Sequence, residues 1–193
     1  NGPMARNVAD VALFLDSMTA QNPADPLSLE KPATPFIAAV KAPKPPKKVA
    51  FSPDLGVTPV DPEVAEICAK AAQKFADLGV EVVEAAPDFT DLQHIFQTMR
   101  AIDFATKHQA KLSTYKELLK PEGIWNIERG LSLSSADVIR ATTGRAQLYH
   151  NAVNFFKEYD LLLSPATVVP PYPIEDRFVA ELGDHKFANY IEW

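Results

Sequence analysis

Ser113 and Lys116 are the residues whose types and spacing come nearest to covalent chemistry in this sequence. Three positions apart on a helix, a hydroxyl and an amine are neighbours, and an amine with a lowered pKa could deprotonate the serine for nucleophilic attack. The Ser-Asp-Asn and Lys-Thr-Gly elements that accompany such a pair in penicillin-recognising enzymes are absent. Few apolar residues are present to desolvate the amine of Lys116, so we expect Ser113 to cap the start of a helix instead.

Two pairs of acidic residues are the next candidates, because a pair of carboxyl groups can hydrolyse a glycosidic bond. Glu175 adjoins Asp176, and Glu181 precedes Asp184 by three positions. Both pairs lie in polar sequence bounded by prolines. This context favours solvated loops over a catalytic pair.

The four histidines and the single cysteine do not predict a metal site or a nucleophile. His94, His108, His150 and His185 lack the spacings of zinc-binding motifs, so we expect surface or capping roles for them. Cys68 falls on the apolar stripe of a predicted helix, which favours a buried structural thiol. The seven glycines are scattered and form no phosphate-binding loop. We therefore predict neither a metal nor a cofactor.

The composition excludes two classes of partner. The 193 residues carry a net charge of −6, whereas a surface that binds nucleic acid must be basic. No apolar run approaches the roughly 20 residues of a membrane span, and the N-terminus lacks the pattern of a signal peptide. We therefore expect a cytoplasmic protein without nucleic-acid or membrane partners.

The elements that would position any functional group begin with a helix over about 7–20. Asn7 is its predicted N-cap, and the prolines after Gln21 end it. Residues 31–48 are rich in proline and lysine. We interpret them as an exposed, semi-stiff connector, because prolines interrupt the charges and extend the chain.

The following segment predicts a strand, a helix and a second strand. Residues 49–52 have the composition of a short strand. Asp61 and Pro62 suit the N-cap and first position of a helix, and Gly79 suits its C-terminal end. Residues 80–83 predict the second strand. This order implies a right-handed crossover between parallel strands.

The remainder of the chain predicts further helices and one more strand. Residues 88–111 have helical periodicity, with Thr90 and Gln93 as a capping pair, and a long helix is predicted over about 134–159. The continuous apolar run within 160–165 is typical of a strand buried on both faces. We therefore predict an α/β fold, with mixed or parallel sheet strands flanked by helices.

Two segments resemble the amidase signature family. Residues 2–10, Gly-Pro-Met-Ala-Arg-Asn-Val-Ala-Asp, are similar to its Gly-Pro-Met-Ala-Arg-x-Val-x-Asp segment. Residues 158–167, Glu-Tyr-Asp-Leu-Leu-Leu-Ser-Pro-Ala-Thr, resemble its Tyr-Asp-Leu-Leu-Leu-Thr-Pro-Thr strand. Intervening features, such as the Lys-Val-Ala at 48–50, follow in the family's order, so the resemblance covers essentially the whole chain.

The resemblance implies a partial amidase-signature domain over residues 1–193, with the connector at about 31–48. It implies amide hydrolysis by a Ser–cisSer–Lys triad, with an oxyanion hole of backbone N–H groups from a glycine-rich loop. The Gly-Gly-Ser-Ser-Gly-Gly-Ser stretch that carries this machinery is absent. We therefore expect the triad to lie outside this chain, expect the chain to be an internal fragment that is inactive alone, and assign no catalytic residue.

The resemblance also places this region in the wall of the acyl pocket. Phe96, Met99, Ile102 and Trp125 are the candidates for contact with a small-molecule amide substrate, and core packing is the alternative for each. A sheet separated from its neighbours exposes edges and apolar surface, so we expect self-association as a homodimer or aggregate. The alternative function is a non-catalytic α/β binding module, or a pseudo-enzyme that binds a partner or a small amide-like ligand.

Overall fold

The computed structural model describes residues 2–192. Contacts within the chain divide it into two compact units, residues 1–45 and residues 46–193. The first unit contains only helices among its described residues, and the second contains the sheet. In chain order the elements are α1 (Val8–Met18), α2 (Phe36–Lys41), β1 (Lys48–Phe51), α3 (Pro62–Asp77), β2 (Glu81–Glu84), α4 (Leu92–Tyr115), α5 (Pro121–Ser132), α6 (Ser135–Phe155), β3 (Leu161–Leu163), β4 (Glu181–Leu182) and β5 (His185–Lys186).

The first unit places a helix where the sequence predicted an extended connector. Asn7 caps α1 as predicted, accepting a hydrogen bond from the backbone amide of Asp10. Asp16 of α1 accepts hydrogen bonds from the amides of Phe36 and Ile37 at 2.7 and 3.1 Å. Because these amides are the free donors at the start of α2, Asp16 supplies the cap that the local sequence lacks.

The sheet of the second unit has three parallel strands in the order β2-β1-β3. Ala50 of the central strand pairs with Val83 on one side and with Leu162 on the other. Val49 and Ala50 are fully buried, as expected for a strand with a neighbour on each side. The predicted α/β class with parallel strands flanked by helices is confirmed.

The crossover from β1 through α3 to β2 follows the local signals in the sequence. The carboxylate of Asp61 accepts a hydrogen bond from the amide of Glu63, and Pro62 occupies the first turn of α3. Gly79 adopts φ +82°, a left-handed conformation that ends the helix and that side chains rarely adopt. These residues mark both ends of α3, and the backbone amide of Asp61 also donates to the carbonyl oxygen of Val168 at 2.8 Å.

The amino end of the sheet is held by side chains from both flanking segments. The ammonium of Lys48 lies 2.6 Å from Glu158 and 3.5 Å from Glu81, and the hydrogen bond with Glu158 raises the pKa of Lys48. Asp160 accepts hydrogen bonds from the amides of Lys47 and Lys48 at 2.7 and 3.1 Å. These backbone amides lower the pKa of Asp160, because they stabilise its ionised form.

Small residues bring α4, α5 and α6 together. A Cβ atom on Gly130 of α5 would lie 2.1 Å from the carbonyl oxygen of Ala101 and 2.7 Å from the Cβ of Ala105. A Cβ on Gly144 of α6 would lie 2.6 Å from the side chain of Ile95. These close approaches pack α4 against α5, and both helices line the cavity described below.

Two local predictions are wrong. The predicted Thr90–Gln93 capping pair does not form: α4 begins after Asp91, whose φ is +63° and whose carboxylate pairs with Arg140 of α6 at 3.1 Å. The strand β3 is not buried on both faces, because Leu161 remains 43% exposed. By contrast, the helix predicted from about residue 134 does begin there, and Ser134 and Asp137 form a reciprocal capping box at the start of α6.

Candidate functional site

A cavity of about 740 Å³ lies between α4, the start of α5 and the C-terminal segment. A second cavity, of about 250 Å³, shares four lining residues with it, and we call the two together the α5 cleft. The volume falls in the range of small-molecule sites, about 300–1,000 Å³. The lining residues are Arg100, Phe104, Lys120, Pro121, Glu122, Gly123, Trp125, Asn126, Tyr172, Arg177, Phe178, Ala188, Asn189 and Tyr190.

Asn126 is the buried polar group of the α5 cleft. It is 4% exposed and lines both cavities. Its side-chain nitrogen donates to the carbonyl oxygen of Glu122 at 2.8 Å, which fixes the amide orientation. Its oxygen Oδ1 accepts no hydrogen bond from any residue in the range 2–192. A buried acceptor left unpaired costs about 1–3 kcal/mol, so a ligand that presents an N–H donor here would gain affinity.

The charges of the main cavity are mostly positive. Arg100, Lys120 and Arg177 line it with one carboxylate, that of Glu122. Arg177 and Glu122 form an ion pair. The other two cations of the cavity, Arg100 and Lys120, are not paired with this carboxylate. The guanidinium of Arg100 lies 4.6 Å from the centre of the Phe104 ring, and its buried Nε has no hydrogen-bond partner in the described structure.

The walls of the α5 cleft are aromatic. Phe104, Tyr172 and Tyr190 line the main cavity, and Trp125 and Phe178 line the smaller one. Trp125 is 45% exposed on the cleft-facing part of α5. Aromatic walls with a few convergent polar groups are the usual composition of a pocket for an organic ligand.

A separate cavity of about 200 Å³, the sheet-edge cavity, lies at the carboxyl ends of β1 and β3. Its walls include Leu55 after β1, Ser164 after β3, and Phe96 of α4. Leu55 has a φ of +57°, a strained value for a residue with a side chain. In parallel sheets with strand order 2-1-3, ligands bind at this switch point between strands 1 and 3, so the position is a second candidate.

The four residues predicted to line a pocket do not come together. Trp125 lines the α5 cleft and Phe96 lines the sheet-edge cavity. Met99 and Ile102 are half-buried in α4 and line neither cavity. The helical spacing that grouped Phe96, Met99 and Ile102 did not indicate that Phe96 would line a cavity and that the other two would not.

The Ser–Lys pair is not assembled. The hydroxyl of Ser113 donates to the carbonyl oxygen of Ala110 at 3.0 Å, and the ammonium of Lys116 pairs with Glu128 at 2.8 Å. The expectation that Ser113 starts a helix is also wrong, because α4 continues to Tyr115. The exposed ammonium of Lys116, paired with Glu128, is not placed to act as a base for Ser113.

The described residues contain no further site of the kinds considered from the sequence. Glu175, Asp176, Glu181 and Asp184 are all exposed. No group of three His, Cys, Asp or Glu side chains within 2–192 is placed to hold a metal ion. No helix in that same range is both long enough and apolar enough to cross a membrane.

Sequence reasoning missed Asn126, Arg100 and Arg177. Asn126 does carry a signal, because it interrupts an apolar run between Trp125 and Ile127. A polar residue inside a buried helical stripe requires a hydrogen-bond partner. The two arginines carry no comparable local signal, since they reach the cleft from distant segments.

Comparison with known proteins identifies the family. The Amidase family profile matches residues 1–192. An acylamidase of Rhodococcus erythropolis is 31% identical over 188 residues, covering 90% of this chain and 37% of the relative. An indoleacetamide hydrolase of Bradyrhizobium diazoefficiens is 31% identical over 200 residues, covering 100% of this chain and 36% of the relative.

A solved structure shares the fold. A bacterial aryl acylamidase of the amidase signature family superposes with a TM-score of 0.86 at 22% identity, covering 100% of this chain and 42% of that one. The chain thus spans well under half the length of the proteins it matches. These matches extend along the chain and confirm the resemblance that segments 2–10 and 158–167 indicated. The chain therefore belongs to the amidase signature family.

Proposed function

We propose that the protein hydrolyses a carboxylic amide and that this chain supplies a wall of the substrate pocket, the α5 cleft. In that reaction the acyl carbon–nitrogen bond breaks, the oxygen of water joins the acyl carbon, and the nitrogen leaves with a proton as amine or ammonia. The observation that supports this role is the unpaired Oδ1 of the buried Asn126, which suits the N–H of an amide.

The substrate class proposed is an amide with an aromatic group. The relatives are named acylamidase and indoleacetamide hydrolase, and the solved neighbour is an aryl acylamidase. The aromatic walls of the α5 cleft, with Trp125 on the smaller cavity, suit an aryl ring. Phe96 serves a second contact in the sheet-edge cavity, whereas Met99 and Ile102 act through packing of α4.

The catalytic machinery of this proposal is a Ser–cisSer–Lys triad outside the 193 residues. The support is that the sequence lacks the glycine- and serine-rich stretch and that the Ser113–Lys116 pair is not assembled. Residues 1–193 then form part of one amidase-signature domain, with residues 31–48, which include the helix α2, as its connector. A cytoplasmic location and self-association of the isolated chain complete the proposal.

The first test compares two proteins, the 193-residue chain and the product of the whole reading frame that contains it. Each is assayed for release of amine or ammonia from phenylacetamide, acetanilide and hexanamide. We expect hydrolysis by the longer protein, with preference for the aryl amides, and none by the chain alone. Hydrolysis by the chain alone would overturn the position of the triad, and inactivity of both would favour the binding-module alternative.

The second test is Asn126→Leu in the longer protein. Leucine has a similar shape and needs no hydrogen-bond partner, so the free energy of unfolding should change by less than about 1 kcal/mol. The loss of one hydrogen bond to substrate should lower kcat/KM by roughly 3- to 10-fold. An unchanged kcat/KM would remove Asn126 from the proposed site. Asn154→Leu on α6, outside the cleft, is the matched control.

A further inference from the structure

We propose that the α5 cleft selects amides that carry a carboxylate, as N-acyl amino acids do. This inference rests on the proposed function of the cleft as a substrate pocket. The carboxylate lies against Arg100 and Lys120, and the amide N–H donates to Oδ1 of Asn126. Four features of the cleft support this inference. They are its positive charge, the absence of an ion pair at Arg100 within residues 2–192, the N-terminus of α5, and the spacing of residues along α5.

The charge of the cleft opposes the charge of the chain. The protein carries −6 overall, yet three cations and one carboxylate line the main cavity, a local charge of +2. The single carboxylate, Glu122, is already paired with Arg177, so it repels an entering anion weakly. Cations concentrated in a cleft raise the local concentration of an anionic ligand.

Arg100 is a guanidinium without a carboxylate. Two other arginines of this unit, Arg140 and Arg177, pair with Asp91 and Glu122, whereas no ion pair of Arg100 forms within residues 2–192. Phe104 holds its guanidinium by a ring contact, and its buried Nε donates to no described residue. A planar guanidinium fixed in this way has N–H groups ready for a carboxylate, the geometry of strong charge-assisted hydrogen bonds.

The N-terminus of α5 adds donors at the same place. No side chain caps this twelve-residue helix, and Pro121 in its first turn has no N–H. The backbone of Gly123 lines the cavity, and nothing lies within 4 Å of where its Cβ would stand. The free amides and the positive end of the helix therefore favour an anion beside Lys120.

The spacing along α5 sets the size of the ligand. Asn126 follows Gly123 by three residues, a rise of about 4.5 Å along the helix axis. An N-acyl amino acid separates its N–H from its carboxylate by one or two carbon atoms, so both groups can reach partners that lie about one helical turn apart. The aromatic walls then receive the acyl group.

The experiment is a binding comparison of two probes by isothermal titration calorimetry on the longer protein, corrected for the heat of any hydrolysis. N-Benzoylglycine has the carboxylate, and N-benzoylglycinamide has a neutral carboxamide in its place. We expect the acid to bind at least tenfold more tightly, with a difference that shrinks as salt increases. Equal affinities, tighter binding of the neutral probe, or no binding of either would overturn the inference.

Variants identify the group responsible. Arg100→Gln should abolish the preference for the acid, because the affinity for the acid falls to that for the neutral probe. Arg145→Gln, which removes the same charge from an exposed position of α6, should leave the preference intact. If Arg100→Gln fails to fold, Lys120→Gln should reduce the preference severalfold, and retention of the full preference in either cleft variant would overturn the assignment.

The results distinguish failure of carboxylate selection from failure of the proposed amidase function. Equal binding of both probes together with amide hydrolysis by the longer protein would refute carboxylate selection and leave the amidase proposal standing. A preference for the acid without hydrolysis by the longer protein would have the opposite meaning, since the cleft would then be a carboxylate-selective binding site.

Discussion

The contact between α4 and α5 gives the sharpest prediction about stability, through Gly130→Ala. An ordinary Cβ contact begins at 3.4 Å, whereas the new methyl group would stand 2.1 Å from the carbonyl oxygen of Ala101, so the helices must separate by about 1.3 Å. The obstacle is backbone, and Ala101 is fully buried, so no side-chain rotation relieves the clash.

The magnitude follows from two opposing effects. Overpacking of a well-packed core costs about 1–3 kcal/mol, and a clash with backbone belongs at the upper end of that range. Replacing glycine by alanine inside a helix recovers about 1 kcal/mol of helix propensity. We therefore expect Gly130→Ala to lower the free energy of unfolding by about 2 kcal/mol, or Tm by roughly 4–8 °C for a chain of this length.

The assay is thermal and urea unfolding followed by circular dichroism at 222 nm. Gly123→Ala is the control, because it makes the same change in the same helix where nothing lies within 4 Å of the added methyl group. We expect the control to be neutral, or more stable by up to about 1 kcal/mol. A Gly130→Ala protein that melts with or above the original chain would refute the close contact of α4 and α5.

Three further outcomes are expected. Ser134→Ala removes the hydroxyl of the α6 capping box and should cost about 1 kcal/mol in urea unfolding, while an unchanged midpoint would contradict the cap. Asp160→Asn should lower Tm at pH 7, because amides of Lys47 and Lys48 hold the pKa of the folded carboxyl low. That stability is present above about pH 4, where the carboxyl titrates in the unfolded chain, and is lost as pH falls through the lower folded pKa. The Tm gap should therefore close in acid, and Asp184→Asn, at an exposed position, should show no such gap. Sedimentation velocity of the isolated chain should reveal concentration-dependent association, and a single monomer species at all concentrations would contradict it.

Local signals predicted the parts of the fold whose ends depend on local chemistry. Asp61, Pro62 and Gly79 specify α3, and the Ser134 capping box specifies the start of α6, because each acts on backbone within four residues. The parallel crossover then follows from element order. The family resemblance was likewise visible in segment 2–10, where the order of residue types is itself the signal.

Prediction failed where a distant residue decides the structure. The helix α4 starts at Leu92 because Asp91 turns the chain and pairs with Arg140, 49 positions away, and no local pattern contains that contact. The α5 cleft depends on Arg100 and Arg177 approaching α5 from opposite directions along the chain. Trp125 was predicted to line a pocket from its size alone. The sequence therefore could not show that Trp125 and Phe96 line different cavities.

The pairing of β1 also has a consequence for synthesis of the chain. The central strand β1 is synthesised before the other two strands. Its second edge stays uncovered until β3 is made, because Ala50 pairs there with Leu162, 112 residues later in the chain. At about 5–20 residues per second, that interval on the ribosome is roughly 6–22 s. During this time the apolar edge of β1 is a template for any other extended segment. Slower translation between β2 and β3 should therefore reduce the soluble yield, and a chaperone that covers β1 during synthesis should restore it.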